Sequence, residues 1–258
     1  MKRGSRSLWA CAALVYAFLY VPLAIVIIYS FNDSRLNAEW VRFTWHWYQV
    51  LFGDEQMLLA ARNSLVIGVV SSAIATVLGT MAGYVMYKFP KQRLLPALVL
   101  TPIAVPEVLM GVSLLVFFSA LNFTLGMVSI TLSHIAFSIG FVAIVVRSRL
   151  AGMDESLTEA ARDLGATPMQ AFRLVTLPLI MPGIIAGALM AFTLSIDDFV
   201  ITFFTAGVGS QTLPLQIYSM IKIAVTPEVN AISTLLMLLT LLLIVIASKL
   251  SPGALRGH

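Results

Sequence analysis

The stretch SLTEAARDLGATP, from Ser156 to Pro168, predicts two short helices joined by a tight turn. Ser156 and Glu159 have the spacing of a capping box, in which a hydroxyl and a carboxylate bond to amides of the first helical turn. Gly165 supplies the left-handed residue that commonly ends a helix. Thr167 and Pro168 favour a second start, with threonine as the cap and proline at the first helical position.

This stretch lies inside a mostly helical polar loop, residues 147–178, which separates two long apolar runs. A helix that crosses the hydrocarbon core of a bilayer needs ~20 residues, and six apolar runs meet this length. They cover residues 8–31, 64–87, 94–120, 126–146, 179–205 and 229–250. With 59% hydrophobic and only 11% charged residues, the composition excludes a soluble domain. We therefore predict an all-α integral membrane protein with one transmembrane domain, residues 1–258, and six transmembrane helices.

The basic residues predict the orientation of these helices. If both termini are cytoplasmic, only Arg35, Arg42, Arg62 and Lys222 of the sixteen Lys and Arg lie outside. The positive-inside rule therefore places both termini, and the loop 147–178, in the cytoplasm. Because the basic residues form no dense patch, we expect membrane lipid and no nucleic acid among the partners.

Prolines predict where a helix breaks, and glycines predict where helices pack closely. Pro106 has no N–H to donate to the carbonyl of Pro102, so the third span should be kinked or partly broken. Glycines spaced by four should allow close helix approach in the second and fifth spans. These glycine pairs are Gly79 with Gly83 and Gly183 with Gly187.

The pattern Glu159-Ala160-Ala161-x-x-x-Gly165, followed by Leu177-Pro178, resembles the EAA loop of permease subunits of binding-protein-dependent ABC importers. The six-span layout and the position of the loop agree with that family. Further segments are similar to its spermidine/putrescine branch: Tyr29–Asn32, Phe192–Asp198 and Pro227–Ala231.

The resemblance implies the type I importer permease fold, called MetI-like, in a bacterial inner membrane. It implies that Glu159, Ala160, Ala161 and Gly165 dock onto a cytoplasmic ATPase dimer and couple ATP hydrolysis to transport. A second homologous permease and a periplasmic polyamine-binding protein are the other implied partners. The alternative for the loop is a solvated amphipathic linker.

No lysine follows a glycine, so the Gly-Lys-Ser/Thr of a P-loop is absent from the sequence. We therefore expect no enzymatic activity and no cofactor bound by this chain, with ATP and magnesium on the partner ATPase. No cluster predicts a catalytic or metal-binding residue.

Three acidic residues, Glu107, Asp197 and Asp198, lie inside predicted spans that contain no Lys or Arg. An aspartate at the membrane centre costs roughly 2.5 to 3.5 kcal/mol, so each needs a partner, a water-filled cavity or a proton. A cationic polyamine would supply that partner. On a continuous helix Asp198 shares a polar face with Ser195 and Thr202, which favours Asp198 for the pathway and leaves Asp197 to packing. Structural hydrogen bonding is the alternative for Glu107 and Asp197.

Other functions remain open. The alternatives are a permease of the same class for another small solute and a stand-alone ion-coupled transporter that uses the three acids as a relay. An intramembrane hydrolase would need Ser113 and His134, which lack a Gly-x-Ser-x-Gly setting. For His134 the sequence favours a packed, hydrogen-bonded histidine.

Overall fold

The computed structural model describes residues 3–34, 39–223 and 226–250. Regular structure in these residues is helical, apart from an isolated antiparallel bridge between Asn32 and Phe43. The prediction of an all-α protein is therefore confirmed. The helices of the described residues are α1 (Arg3–Tyr29), α2 (His46–Gly53), α3 (Glu55–Lys88), α4 (Leu94–Ala104), α5 (Glu107–Ala120), α6 (Met127–Ala151), α7 (Ser156–Asp163), α8 (Pro168–Ala171), α9 (Leu177–Asp197), α10 (Val200–Thr205), α11 (Leu213–Ile223) and α12 (Pro227–Leu250).

Several of these helices are long and apolar enough to cross a membrane. In the described part of the chain they are α1, α3, α6 and the continuous run from α8 through α9. The bent pair α4 and α5 together makes one further segment of this kind, and α12 is apolar from Pro227 to Leu242. The predicted second span, 64–87, lies within α3, which starts earlier, at Glu55.

The third apolar run is broken, as its prolines predict. Helix α4 ends at Ala104, and the extended residues Val105 and Pro106 lead into α5 at an angle of 110°. Because Pro106 has no N–H to continue the helical ladder, a new helix must start beyond it.

The fifth apolar run is also broken, and here the prediction of one helix over 179–205 is wrong. Helix α9 ends at Asp197, and Asp198 is extended, with φ −66° and ψ 123°. Helix α10 then begins at Val200. No proline or glycine marks this break. The Asp198 side chain competes for backbone N–H groups, which favours a new helix start over an unbroken helix.

A second correction concerns the start of the fifth run, which is predicted at residue 179, after the two short helices of the loop 147–178. The chain is continuously helical from Pro168 to Asp197. A π-helical turn, Phe172–Thr176, joins α8 to α9, with the Leu177 N–H donating to the Phe172 carbonyl five residues back. Because this wider turn replaces the usual hydrogen bond, a proline directly after it does not stop the helix.

One compact unit comprises residues 59–215 and 241–258, and α6 forms its centre. Helix α6 packs against α4, α9 and α10. Fully buried apolar side chains of α6 and α9 form the core, namely Val142, Val146, Leu150, Ile180 and Ala191. Because other helices bury α6 on several sides, the side chains that α6 contributes to the candidate site are held in place.

Glycines of α3 allow its close approach to α6, as predicted. A Cβ atom at Gly79 would lie 2.6 Å from the Val142 Cβ, and one at Gly83 would lie 2.8 Å from the Ala143 carbonyl oxygen. On α9, a Cβ at Gly187 would meet Val142 at 3.2 Å. Residues larger than glycine therefore do not fit at Gly79 without backbone movement.

Gly79→Val is expected to destabilise the protein by about 1–3 kcal/mol, the usual cost of overpacking a core. Its melting temperature in detergent and its abundance in the membrane should both fall. Gly53→Ala is the matched control, because nothing lies within 4 Å of the position that its Cβ would take. Equal melting temperatures for the two variants would contradict the close packing of α3 on α6.

The other compact unit comprises residues 1–58 and 216–240. Its segment after α1 is fixed by the buried Asn32, whose carbonyl accepts a hydrogen bond from the Trp47 Nε1 at 2.8 Å. The Asn32 side chain bonds to the Glu39 carbonyl at 2.8 Å and to the Val41 amide at 2.9 Å. These bonds order an aromatic cluster, in which the rings of Phe31 and Phe43 stack at 5.1 Å.

Candidate functional site

A cavity of about 290 Å³ lies where the two broken helices meet α6. Its lining contains three carboxylates and no basic side chain. The acids are Glu107, Asp197 and Asp198, and three aromatic rings of the lining belong to Phe137, Phe141 and Phe199. The structure thus brings together the three acidic residues that the sequence singled out. The aromatic rings were not predicted, since phenylalanine in an apolar span carries no distinguishing signal.

Each of the three acidic residues lies at a helix break. Glu107 is the first residue of α5, where unpaired amides give the helix end a partial positive charge that favours a carboxylate. Asp197 is the last residue of α9, and Asp198 forms the extended link to α10. Both breaks therefore place acidic residues beside irregular backbone, which at membrane depth is tolerated where it lines a cavity or is buried in protein.

The carboxylate of Asp198 is satisfied by the protein itself. Its Oδ2 accepts hydrogen bonds from the Thr202 amide and the Thr202 hydroxyl, both at 2.8 Å. Its Oδ1 accepts a longer bond from the Ile201 amide at 3.3 Å. The same Oδ2 lies 3.2 Å from the His134 Nε2, and only 7% of the side chain is exposed. Asp198 therefore caps α10 and pairs with an imidazole.

The carboxylates of Asp197 and Glu107 differ from that of Asp198 in exposure and in hydrogen bonding. Both residues are exposed, and no hydrogen bond or ion pair joins either side chain to another of the described residues. Two carboxylates that line one cavity without a protein partner are available to a cation or to water.

This geometry differs from the one on which the preference for Asp198 rested. The preference for Asp198 assumed a continuous helix, on which Ser195, Asp198 and Thr202 share one face. The polar face does exist, but it is buried and its members bond to each other through His134. Asp197, the last residue of α9, is exposed. The pathway role of either residue stays a prediction, and the structure favours Asp197 for it.

His134 is the packed, hydrogen-bonded histidine that the sequence favours. Its side chain is fully buried, with the Nδ1 at 2.6 Å from the Ser195 hydroxyl and the Nε2 at 3.0 Å from the Thr202 hydroxyl. Ser71 of α3 extends the network, at 3.1 Å from the Ser195 hydroxyl. Sequence reasoning missed Ser71, although a serine inside an apolar run is a signal that points to such a bond.

The polar loop folds as a helix, a turn and a helix. Glu159, Ala160 and Gly165 are exposed, and Ala161 is half-buried. Gly165 has a φ of +91°, so the predicted left-handed glycine stop is confirmed. The loop is attached to α3 by a hydrogen bond from the Tyr87 hydroxyl to the Glu155 carboxylate.

Of the two helix caps predicted in the loop, only the cap of α8 is confirmed. Thr167 caps α8, with its hydroxyl accepting from the Gln170 amide at 3.3 Å and the Gln170 side chain accepting from the Thr167 amide at 2.8 Å. The predicted Ser156 capping box is wrong. Asp154 takes that place, with its Oδ1 at 3.0 Å from the Ser156 amide, and hydrogen bonds from the Ser156 side chain and backbone lower the pKa of Asp154.

The loop also presents apolar side chains that the sequence pattern did not single out. Leu164, next to the turn, is 89% exposed, and Met169 and Leu174 are exposed as well. A leucine exposed to this degree beside a rigid turn gains from burial against a partner, by roughly 1.5–3 kcal/mol for a full leucine side chain.

Comparisons with known proteins agree with these features. The family described as "Binding-protein-dependent transport system inner membrane component" matches residues 75–254. The spermidine/putrescine transport system permease protein PotC of Escherichia coli K12 is 39% identical over 246 residues, covering 95% of this chain and 93% of PotC. The putrescine transport system permease protein PotI of the same strain is 41% identical over 243 residues, covering 90% and 86%.

Solved structures have the same fold. A chain of a bacterial alginate ABC transporter in complex with an alginate-bound periplasmic protein superposes with a TM-score of 0.72 and 18% identity, covering 98% of this chain and 95% of that one. A chain of the MetNI methionine ABC transporter gives a TM-score of 0.65 with 23% identity, covering 79% and 100%. The family match and these relatives confirm the resemblance found in the sequence. This chain belongs to the family of binding-protein-dependent transport system inner membrane components, as a multi-pass protein of the bacterial inner membrane.

Proposed function

We propose that this chain is a pore-forming permease subunit of an ATP-driven importer of polyamines. One observation carries the substrate class: the cavity at the two helix breaks has three carboxylates and no base, and two of the carboxylates have no partner among the described residues. The names of the relatives, which are permeases for spermidine and putrescine or for putrescine, support the same class.

The chemistry of the cavity suits an extended cation with several amines. A carboxylate and an ammonium 4 Å apart attract each other by about 4 kcal/mol at an effective dielectric of 20, before desolvation is subtracted. Aromatic rings add roughly 0.5–2 kcal/mol for each well-placed cation. Glu107 and Asp197 offer separate charges to different amines, while the rings of Phe137, Phe141 and Phe199 contact the methylene groups between them.

The topology that we propose has six spans with both termini in the cytoplasm. Helix α12 supports the sixth span, because its 24 residues are enough to cross the hydrocarbon core. The distribution of Lys and Arg supports the orientation. In this arrangement the loop between α6 and α9 is cytoplasmic.

The partners that we propose are a second homologous permease, a cytoplasmic ATPase dimer and a periplasmic polyamine-binding protein. The ATPase would bind ATP and magnesium, and this chain would bind no cofactor. The exposed Glu159, Ala160 and Leu164 beside the Gly165 turn support the loop as the docking point, since they combine a charge, a small residue and an apolar anchor.

Uptake of labelled spermidine by cells that express the complete transporter tests the proposal. We expect uptake to stop when ATP is depleted and to continue with a protonophore when ATP is maintained. Loss of uptake with the protonophore alone would indicate an ion-coupled transporter. No uptake of either spermidine or putrescine by the assembled transporter would indicate another solute.

A further inference from the structure

His134 connects the two sides of the break in the fifth apolar run. Its Nδ1 contacts Ser195, which belongs to α9 before the break. Its Nε2 contacts Thr202 of α10, after the break, and lies 3.2 Å from the Asp198 Oδ2 in the break itself. A single ring, held on the central helix α6, thus contacts α9, the break and α10.

The hydrogen bonds are mutually consistent with a neutral imidazole. An ionised Asp198 is only an acceptor, and the Thr202 hydroxyl already donates to it, so both residues present acceptor oxygens to the His134 Nε2, which therefore carries a hydrogen. The Nδ1 then accepts from the Ser195 hydroxyl, and the Ser195 oxygen accepts from the Ser71 hydroxyl at 3.1 Å. Every polar group in the network has a partner, as a buried network requires if it is to fix one conformation.

We propose that His134 is a positioning residue that holds the Asp197 carboxylate toward the cavity. Asp197 precedes Asp198 directly, so the backbone at the break determines where its side chain points. The bonds from His134 fix Ser195 two residues before Asp197 and fix Asp198 immediately after it. The effect of His134 on transport presupposes the proposed function, in which Asp197 contacts the substrate.

Replacement of His134 by leucine and by glutamine tests the role of its hydrogen bonds. His134→Leu removes the bonds to both sides of the break, so the polyamine concentration for half-maximal uptake should rise about tenfold, which corresponds to about 1.4 kcal/mol. The maximal rate should change much less. His134→Gln keeps one donor and one acceptor at a separation similar to that of the two ring nitrogens, so it should behave like the wild type.

Ser133→Ala is the matched control for loss of a buried polar group. Ser133 is the adjacent, fully buried residue of α6, and its hydroxyl bonds only within that helix, to the Ser129 carbonyl at 2.8 Å. The polyamine concentration for half-maximal uptake by the Ser133→Ala variant should equal that of the wild type. A similar change in Ser133→Ala and His134→Leu would overturn the positioning role, and so would a His134→Gln variant as defective as His134→Leu.

A second measurement does not depend on polyamine transport. Cys11 is the only cysteine of the chain, so Cys11→Ser followed by Asp197→Cys gives a single thiol beside the cavity. We expect a water-soluble thiol reagent to modify this thiol quickly with His134 or His134→Gln and several-fold more slowly with His134→Leu. If His134→Leu does not fold, Ser195→Ala, which removes the bonds of Ser195 to His134 and to Ser71 and leaves the bonds to α10, should slow the modification in the same way.

The two measurements distinguish failure of the positioning role from failure of the proposed substrate. Unchanged thiol modification in the variant that folds would overturn the positioning role, whatever is transported. Slower modification, together with a wild-type transporter that does not carry polyamines, would leave the positioning role intact and reject the proposed substrate.

Discussion

Asp197→Asn is expected to reduce polyamine uptake at least about tenfold at low substrate concentration, equivalent to a loss of about 1.4 kcal/mol. Asparagine keeps the shape of the side chain and removes its charge. Because the Asp197 carboxylate has no partner among the described residues, the substitution should leave folding and assembly unchanged. Initial rates of spermidine uptake, normalised to the amount of assembled transporter, measure the effect.

Asp198→Asn is the matched comparison and should have the opposite profile. Its carboxylate accepts bonds from two amides and one hydroxyl and faces His134. Asparagine has one acceptor oxygen where the carboxylate has two, and a hydrogen bond to a charged group contributes about 1.5–3 kcal/mol, so membrane abundance and thermal stability should fall first. A stable Asp198→Asn variant with no uptake, beside an Asp197→Asn variant with normal uptake, would reverse our assignment of the two aspartates.

The second large effect is expected at the turn of the loop between α6 and α9. Gly165→Pro should abolish substrate-stimulated ATP hydrolysis, because proline fixes φ near −65° where Gly165 has +91°. Glu159→Lys should also uncouple the ATPase, since it reverses an exposed charge at the proposed contact. ATP hydrolysis by the reconstituted transporter, with and without substrate-loaded binding protein, measures both variants.

The control for the turn is Gly165→Asn. Asparagine enters the left-handed region more readily than other side chains, and nothing lies within 4 Å of the position that its Cβ would take. This variant should keep most of its coupling. Full coupling in Gly165→Pro and Glu159→Lys alike would show that the loop is not the contact to the ATPase.

The sequence predicts the features of this fold that depend on local chemistry. The break at Pro106 follows from a missing N–H, the stop at Gly165 from the freedom of glycine, and the close approach at Gly79 from its missing side chain. Each of these is a property of the residue itself, so a pattern along the chain is enough to find it.

The break at Asp198 was not predictable in this way. It depends on bonds that Asp198 makes with α10 and with His134, which lies 64 positions earlier in the chain and reaches it only in the folded unit. A face drawn on an ideal helix grouped Ser195, Asp198 and Thr202 correctly. It did not show that the Asp198 carboxylate is bonded within the protein while Asp197, which lines the same cavity, is exposed.

The most direct test of the account is whether a polyamine occupies the cavity beside Asp197. Leu194 lines the cavity without a charge, so Cys11→Ser with Leu194→Cys introduces one thiol there and leaves all three acids in place. Modification by a small neutral thiol reagent is timed in the assembled transporter with and without spermidine and its binding protein. We predict that spermidine slows the modification several-fold and that a neutral solute of similar size does not. Equal rates with and without spermidine, in a transporter that carries it, would contradict a cation pathway through this cavity.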